Sequence, residues 1–105
     1  MIEGASIRGE RGTMLVSTAR IATRRAARYA DQLAERLSHK MSVESLPSGY
    51  RITSGHGEGL VNYGPEDLFL LVSADDGPSL GSLRDVLGVF LERLGRDDGL
   101  RVHWR

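Results

Sequence analysis

"TRRAARYADQLAERLSHK" (Thr23–Lys40) carries four arginines, a lysine and a histidine in a chain whose formal net charge is zero. A helix made to grip a polyanion would spread cations widely, whereas a helix that roofs a core keeps one side apolar. Ala26, Ala30, Leu33 and Leu37 recur at helical spacing. At about 100° per residue they fall within roughly a sixth of a turn of one another. Tyr29, Ala34 and Met41 widen that stripe. The segment therefore predicts an amphipathic core helix of about four turns, with Thr23 offering an N-cap oxygen. Arg24, Arg28, Asp31 and Glu35 take the opposite side, where Arg28 and Asp31 are spaced to pair.

Strand patterns lie on either side of this helix. "MLVSTARI" (14–21) is rich in β-branched and apolar residues and reads as a strand. "KMSVESL" (40–46) alternates, with Met41 and Val43 on one face and Ser42 and Glu44 on the other. Pro47-Ser48-Gly49 turns the chain into "YRIT", and "GHGEGLVNYG" becomes strand-like from Leu60 to Tyr63. Gly64-Pro65-Glu66-Asp67 is a further turn, into "LFLLVSA" (68–74), whose continuous apolar run suits a central strand. Asp75-Asp76-Gly77-Pro78 then opens a second helix with Pro78 in its first turn. Leu80, Leu83, Leu87, Phe90, Leu91 and Leu94 form its core stripe. Gly95 ends it, and Gly81 and Gly88 weaken it by about 1 kcal/mol each relative to Ala. "GLRVHWR" (99–105) alternates, Leu100, Val102 and Trp104 pointing inward, and predicts a last strand.

The order β-α-β-β-β-β-α-β with two one-sided helices predicts an α+β two-layer sandwich. The sheet is antiparallel or mixed, with both helices on one face. Residues 14–105 form a single domain on this reading, and residues 1–13, which lack periodicity, a flexible tail. Met14, where the pattern begins, is an alternative natural start. A sheet face left open would suit pairing with a second copy as a homodimer.

Composition narrows the function. The apolar fraction of 40% and charged fraction of 27% suit a folded soluble protein. The longest uncharged apolar run, residues 68–74, is too short to cross a bilayer, so no membrane association is expected. Residues 1–13 lack the apolar centre of a secretory signal. With no cysteine, disulfides, thiolate nucleophiles and thiolate metal sites are excluded, and a cytoplasmic location is expected. Charge is uneven: residues 20–40 hold six cations against Asp31 and Glu35, and residues 58–98 hold nine acids against three arginines. The acidic second half, the neutral total and the absence of a binding motif argue against nucleic acid.

Few groups remain for chemistry. His39, His56 and His103 are not spaced as HxH or HxxxH, so no metal-ligand set is expected. "GHGEG" (55–59) precedes a strand instead of opening a helix, unlike a phosphate loop, and reads as a tight turn or bulge needing positive φ. No serine lies in a GxSxG elbow, and the paired aspartates at 75–76 and 97–98 read as turn and cap residues. No catalytic residue and no cofactor are expected. Arg25, Gln32, Arg36 and His39 form a second line flanking Tyr29 at the edge of the buried stripe. Groups placed there are partly desolvated, which suits them to an anion. Arg25, Tyr29, Gln32, Arg36 and His39 are therefore the candidate ligand site.

From Met14 to Arg105 the chain resembles the bacterial domain-of-unknown-function family 2218. The resemblance rests on "STARIAT" leading into "RYADQL", then "SHKMSVE", "YRITSGHGEG" and "FLERLGRDDGLRVHW". None of these is a catalytic signature. The family often carries cysteine and histidine late in the first helix, where this chain has Ala34 and Arg36. It often carries histidine before "LER", where this chain has Phe90. Among those positions His39, in "SHK", matches. The resemblance implies either a site lost here or packing positions filled differently, and Phe90 on the leucine stripe favours packing. A loose likeness to proteins of iron and siderophore handling accompanies the family.

The expectation is a non-enzymatic cytoplasmic domain that binds a small anionic ligand or a protein partner, as a homodimer. The alternative is a metal-, haem- or anion-binding accessory protein or enzyme that uses His39 with Arg25 and Arg36. A third reading places nucleic acid on the first helix.

Overall fold

The computed structural model describes residues 14–105, so the expectation of a tail over residues 1–13 lies outside it. The elements follow the expected order: β1 (Leu15–Ala22), α1 (Ala26–Leu37), β2 (Ser42–Leu46), β3 (Gly49–Ser54), β4 (Gly57–Tyr63), β5 (Asp67–Ala74) and α2 (Gly77–Leu94). A short 3₁₀ turn, Arg96–Asp98, follows. The five strands form one antiparallel sheet in the order β1-β5-β4-β3-β2.

Register divides the sheet into two faces. Val43, Ile52, Gly59, Val72 and Ser17 are cross-strand neighbours in one row, and Ser45, Tyr50, Val61, Leu70 and Ala19 in the next. Both rows face the helices. Leu33 and Leu37 of α1 and Leu83, Leu87 and Leu91 of α2 complete the core over them. Each such leucine, fully buried, contributes roughly 1.5–3 kcal/mol. The opposite face carries the row Glu44, Arg51, Leu60, Leu71 and Thr18, and no described element covers it. Leu60, Leu71 and the neighbouring Phe69 are half-buried there. Arg51–Glu44 at 3.3 Å and Arg20–Asp67 at 3.7 Å flank them.

Caps explain the helix limits. α1 starts two residues later than a Thr23 cap implies, because Thr23 Oγ1 accepts from the Arg25 N–H at 3.1 Å and closes a turn first. α2 begins where Asp76 accepts from the Ser79 N–H at 2.8 Å, with Pro78 in its first turn. That hydrogen bond holds the Asp76 carboxyl below its ordinary range. Gly95 caps the other end of α2. A Cβ there would stand 2.3 Å from Leu100, so only glycine lets Leu100 fold under the helix end. Gly88 has a similar reason: its missing side chain leaves room for Trp104, whose Nε1 would lie 3.1 Å from a Cβ.

Two expectations need correction. "GHGEG" is mostly strand, because β4 already starts at Gly57 and the turn is Gly55-His56. Gly57 does take positive φ (151°), and a Cβ on it would meet the Ser73 carbonyl at 2.2 Å. The last strand is not a regular member of the sheet. After the 3₁₀ turn, residues 100–105 form no strand, and Arg105 at their end exchanges two backbone hydrogen bonds with Thr18 of β1. The inward alternation holds: Leu100 is buried, while Val102 and Trp104 are half-buried against the core.

Candidate functional site

The five candidate residues all lie on or beside α1, whose stripe of Ala26, Ala30, Leu33 and Leu37 turns toward the sheet. That orientation sets the flank of α1 beside α2, and it divides the candidates into two groups. Gln32, Arg36 and His39 line one concavity of about 290 Å³, with Glu35 beside them and Leu94 of α2 as the apolar wall. Arg36 and His39 are exposed, and neither is ion-paired among the described residues.

Arg25 and Tyr29 belong elsewhere. Arg25 Nη1 lies 3.2 Å from Asp98 Oδ2, and the Tyr29 hydroxyl donates to the same oxygen. Tyr29 is 5% exposed, so its ring is part of the core and its hydroxyl alone reaches out. Its pKa is raised, first by the bond to Asp98 and then by burial, which keeps the phenol a donor. The 3₁₀ turn after α2 brings Asp98 to this point, closing a contact across 73 positions of sequence to Arg25. Arg25 and Tyr29 therefore pin the C-terminal segment to α1 instead of facing the groove.

Asp31 is also committed differently from the expected pair with Arg28. It accepts from the Tyr50 hydroxyl on β3 at 2.6 Å. This bond, with burial and the Asp31 charge, pushes the Tyr50 pKa up to about 12. The stability held by the neutral phenol is complete below the ordinary tyrosine value and is lost as pH rises toward about 12. Absorbance at the phenolate band should show Tyr50 ionising near 12 in wild type and lower in Asp31→Asn. An unchanged titration in Asp31→Asn would contradict the bond.

The positions where the family resemblance expected cysteine or histidine serve packing and the groove. Ala34 is buried, Phe90 is half-buried against the core, and Lys40 Nζ sits 5.3 Å above the Phe90 ring. Arg36 is at the groove. His103 and His56 are exposed and apart from it, His56 lining a concavity of about 360 Å³ at the β3–β4 turn. Among the described residues no three His, Asp or Glu side chains converge as metal ligands. No helix among them is long and apolar enough to cross a membrane.

A third concavity, of about 310 Å³, was not foreseen from sequence. Arg93 in the last turn of α2, Arg96 at the start of the 3₁₀ turn and Arg101 from the last segment line it with Glu92, Val89 and Leu100. Chain reversal brings Arg101 to Arg93 and Arg96, to which no helical or strand period links it.

Residues 18–105 match the model of a family described as an uncharacterized protein conserved in bacteria (DUF2218). No curated protein matches. Among solved structures, the chain is similar to the NMR structure of PA4090 from Pseudomonas aeruginosa. The two are 27% identical with a TM-score of 0.73, over 86% of this chain and 94% of that one.

Proposed function

The chain belongs to the bacterial DUF2218 family, and we propose that it is a non-enzymatic binding domain that takes a small anionic ligand in the groove of Gln32, Arg36 and His39. One observation carries this reading. Arg36 and His39 open into a concavity without an ion-pair partner, while nearby Arg25 is already matched by Asp98. The Arg36 guanidinium offers a planar fork for one carboxylate or phosphate, and Gln32 and His39 add hydrogen bonds. Glu35 limits the net positive charge of the groove and prefers a ligand that also carries a donor. Leu94 receives its apolar part.

Calorimetric titration with orthophosphate and with glycolate, which has one carboxylate and one hydroxyl, tests the proposal. Wild type should bind saturably, and Arg36→Ala should weaken binding by about tenfold or more. His39→Ala should weaken it less. Both side chains are exposed, so both variants should keep wild-type stability. Binding unchanged in Arg36→Ala would overturn the reading.

A cytoplasmic homodimer is part of the same proposal. The uncovered sheet face, with Leu60, Phe69 and Leu71 between two ion pairs, supports the dimer. A single monomer mass by sedimentation equilibrium would remove the dimer and leave the ligand site standing.

A further inference from the structure

We propose a second ligand site, on the other flank of α2: the concavity of Arg93, Arg96 and Arg101 binds a compact dianion. Three guanidinium groups line it against one carboxylate, Glu92. None of the three arginines is ion-paired among the described residues. Glu92 is occupied, because its Oε2 accepts from the Val102 N–H at 2.9 Å. The nearby acids are turned away or outside: Asp98 is held by Arg25 and Tyr29, and Asp97 does not line the concavity. Two positive charges are left in excess, which a ligand of two negative charges neutralises.

Ordinary helix electrostatics accounts for only part of this cluster. Cations in a last helical turn complement the helix dipole, which covers Arg93. Arg101 is not on the helix at all. Gly99, with φ 71°, reverses the chain, and the Leu100 N–H donates to the Gly95 carbonyl at 3.0 Å. Leu100 is buried under the helix end, so Arg101 is carried back against Arg93 and Arg96 by a fixed anchor. Val89, 43% exposed, supplies an apolar wall beside the charges. A volume of about 310 Å³ suits a small organic molecule bearing phosphoryl or carboxylate groups. Arginine forks bind either group in bidentate fashion.

The test is amide chemical-shift mapping of the full chain, titrated separately with methyl phosphate and malonate, both dianions slightly above neutral pH, near physiological salt. Saturable shifts should centre on Arg93, Arg96, Gly99 and Arg101. Arg96→Glu combined with Arg101→Glu should weaken binding at least about tenfold. Arg101→Gln, at an exposed side chain, should weaken it less and keep the wild-type spectrum elsewhere. Arg36→Ala should bind like wild type, which separates this site from the groove on α1. Binding of methyl phosphate alone would assign a phosphoryl ligand, of malonate alone a carboxylate, and of both the charge pair itself. Shifts centred on Gln32 to His39, non-saturating shifts at every exposed arginine, or binding unaltered in the arginine variants would overturn the proposal.

Discussion

Leu33→Ala is expected to destabilise the folded chain by about 3–5 kcal/mol. Leu33 is fully buried at the middle of the α1 stripe, where the helix meets the sheet. Truncation removes transfer energy and leaves a cavity that close-packed neighbours only partly fill. In a domain of this size each kcal/mol corresponds to roughly 4–8 °C in Tm. Thermal unfolding should therefore shift by well over ten degrees, near the limit of what a marginally stable fold survives. Val89→Ala is the control. Val89 is 43% exposed, and its loss should cost no more than about 0.5 kcal/mol. Similar costs for the two substitutions would contradict the placement of α1 over the core.

Gly49→Ala is expected to be comparably severe, for a different reason. A Cβ at Gly49 would stand 1.9 Å from the Val61 carbonyl oxygen and 2.9 Å from Asn62 Cα. Both are backbone atoms of β4, so no side-chain rotation relieves the clash, and β3 must move away from its partner. Overpacking of this kind costs about 1–3 kcal/mol and more where the backbone must shift. The effect should concentrate in the β2–β3 hairpin, read as faster amide exchange over residues 42–54. Gly81→Ala should do the reverse. Gly81 lies inside α2 with open space around its Cα, so alanine should stabilise the helix by about 0.5–1 kcal/mol. Equal effects of the two substitutions would mean that the approach of β3 to β4 is not as close as described.

The fold was legible because both helices declare their buried faces. Ala26, Ala30, Leu33 and Leu37 are all buried as their spacing implies, and so are Leu83, Leu87 and Leu91. The apolar run of β5 belongs to an interior strand, flanked by β1 and β4. Local turn chemistry was less reliable. Thr23 spends its hydroxyl on a turn before α1, and the alternation of residues 100–105 predicts burial correctly but not regular strand pairing. The placement of the candidate residues was half legible. Helical spacing is enough to bring Gln32, Arg36 and His39 together, because Gln32 and Arg36 share one flank of α1 and His39 follows in the turn after it. It could not reveal that Asp98 captures Arg25 and Tyr29, nor that Arg101 returns to Arg93 and Arg96. Those contacts depend on the reversal at Gly99 and the seat of Leu100 beneath Gly95, which no periodicity records.

The charged residues beside α1 divide into two groups: Arg25 and Tyr29 hold the C-terminal turn, and Arg36 and His39 are the proposed holders of the ligand. A crystal structure of the full chain grown with saturating orthophosphate separates the two groups. A phosphate is expected within hydrogen-bond distance of both the Arg36 guanidinium and the His39 imidazole, with Asp98 still bound to Arg25 and Tyr29. A groove filled only by solvent, or a phosphate that displaces Asp98 to bind Arg25, would contradict this division.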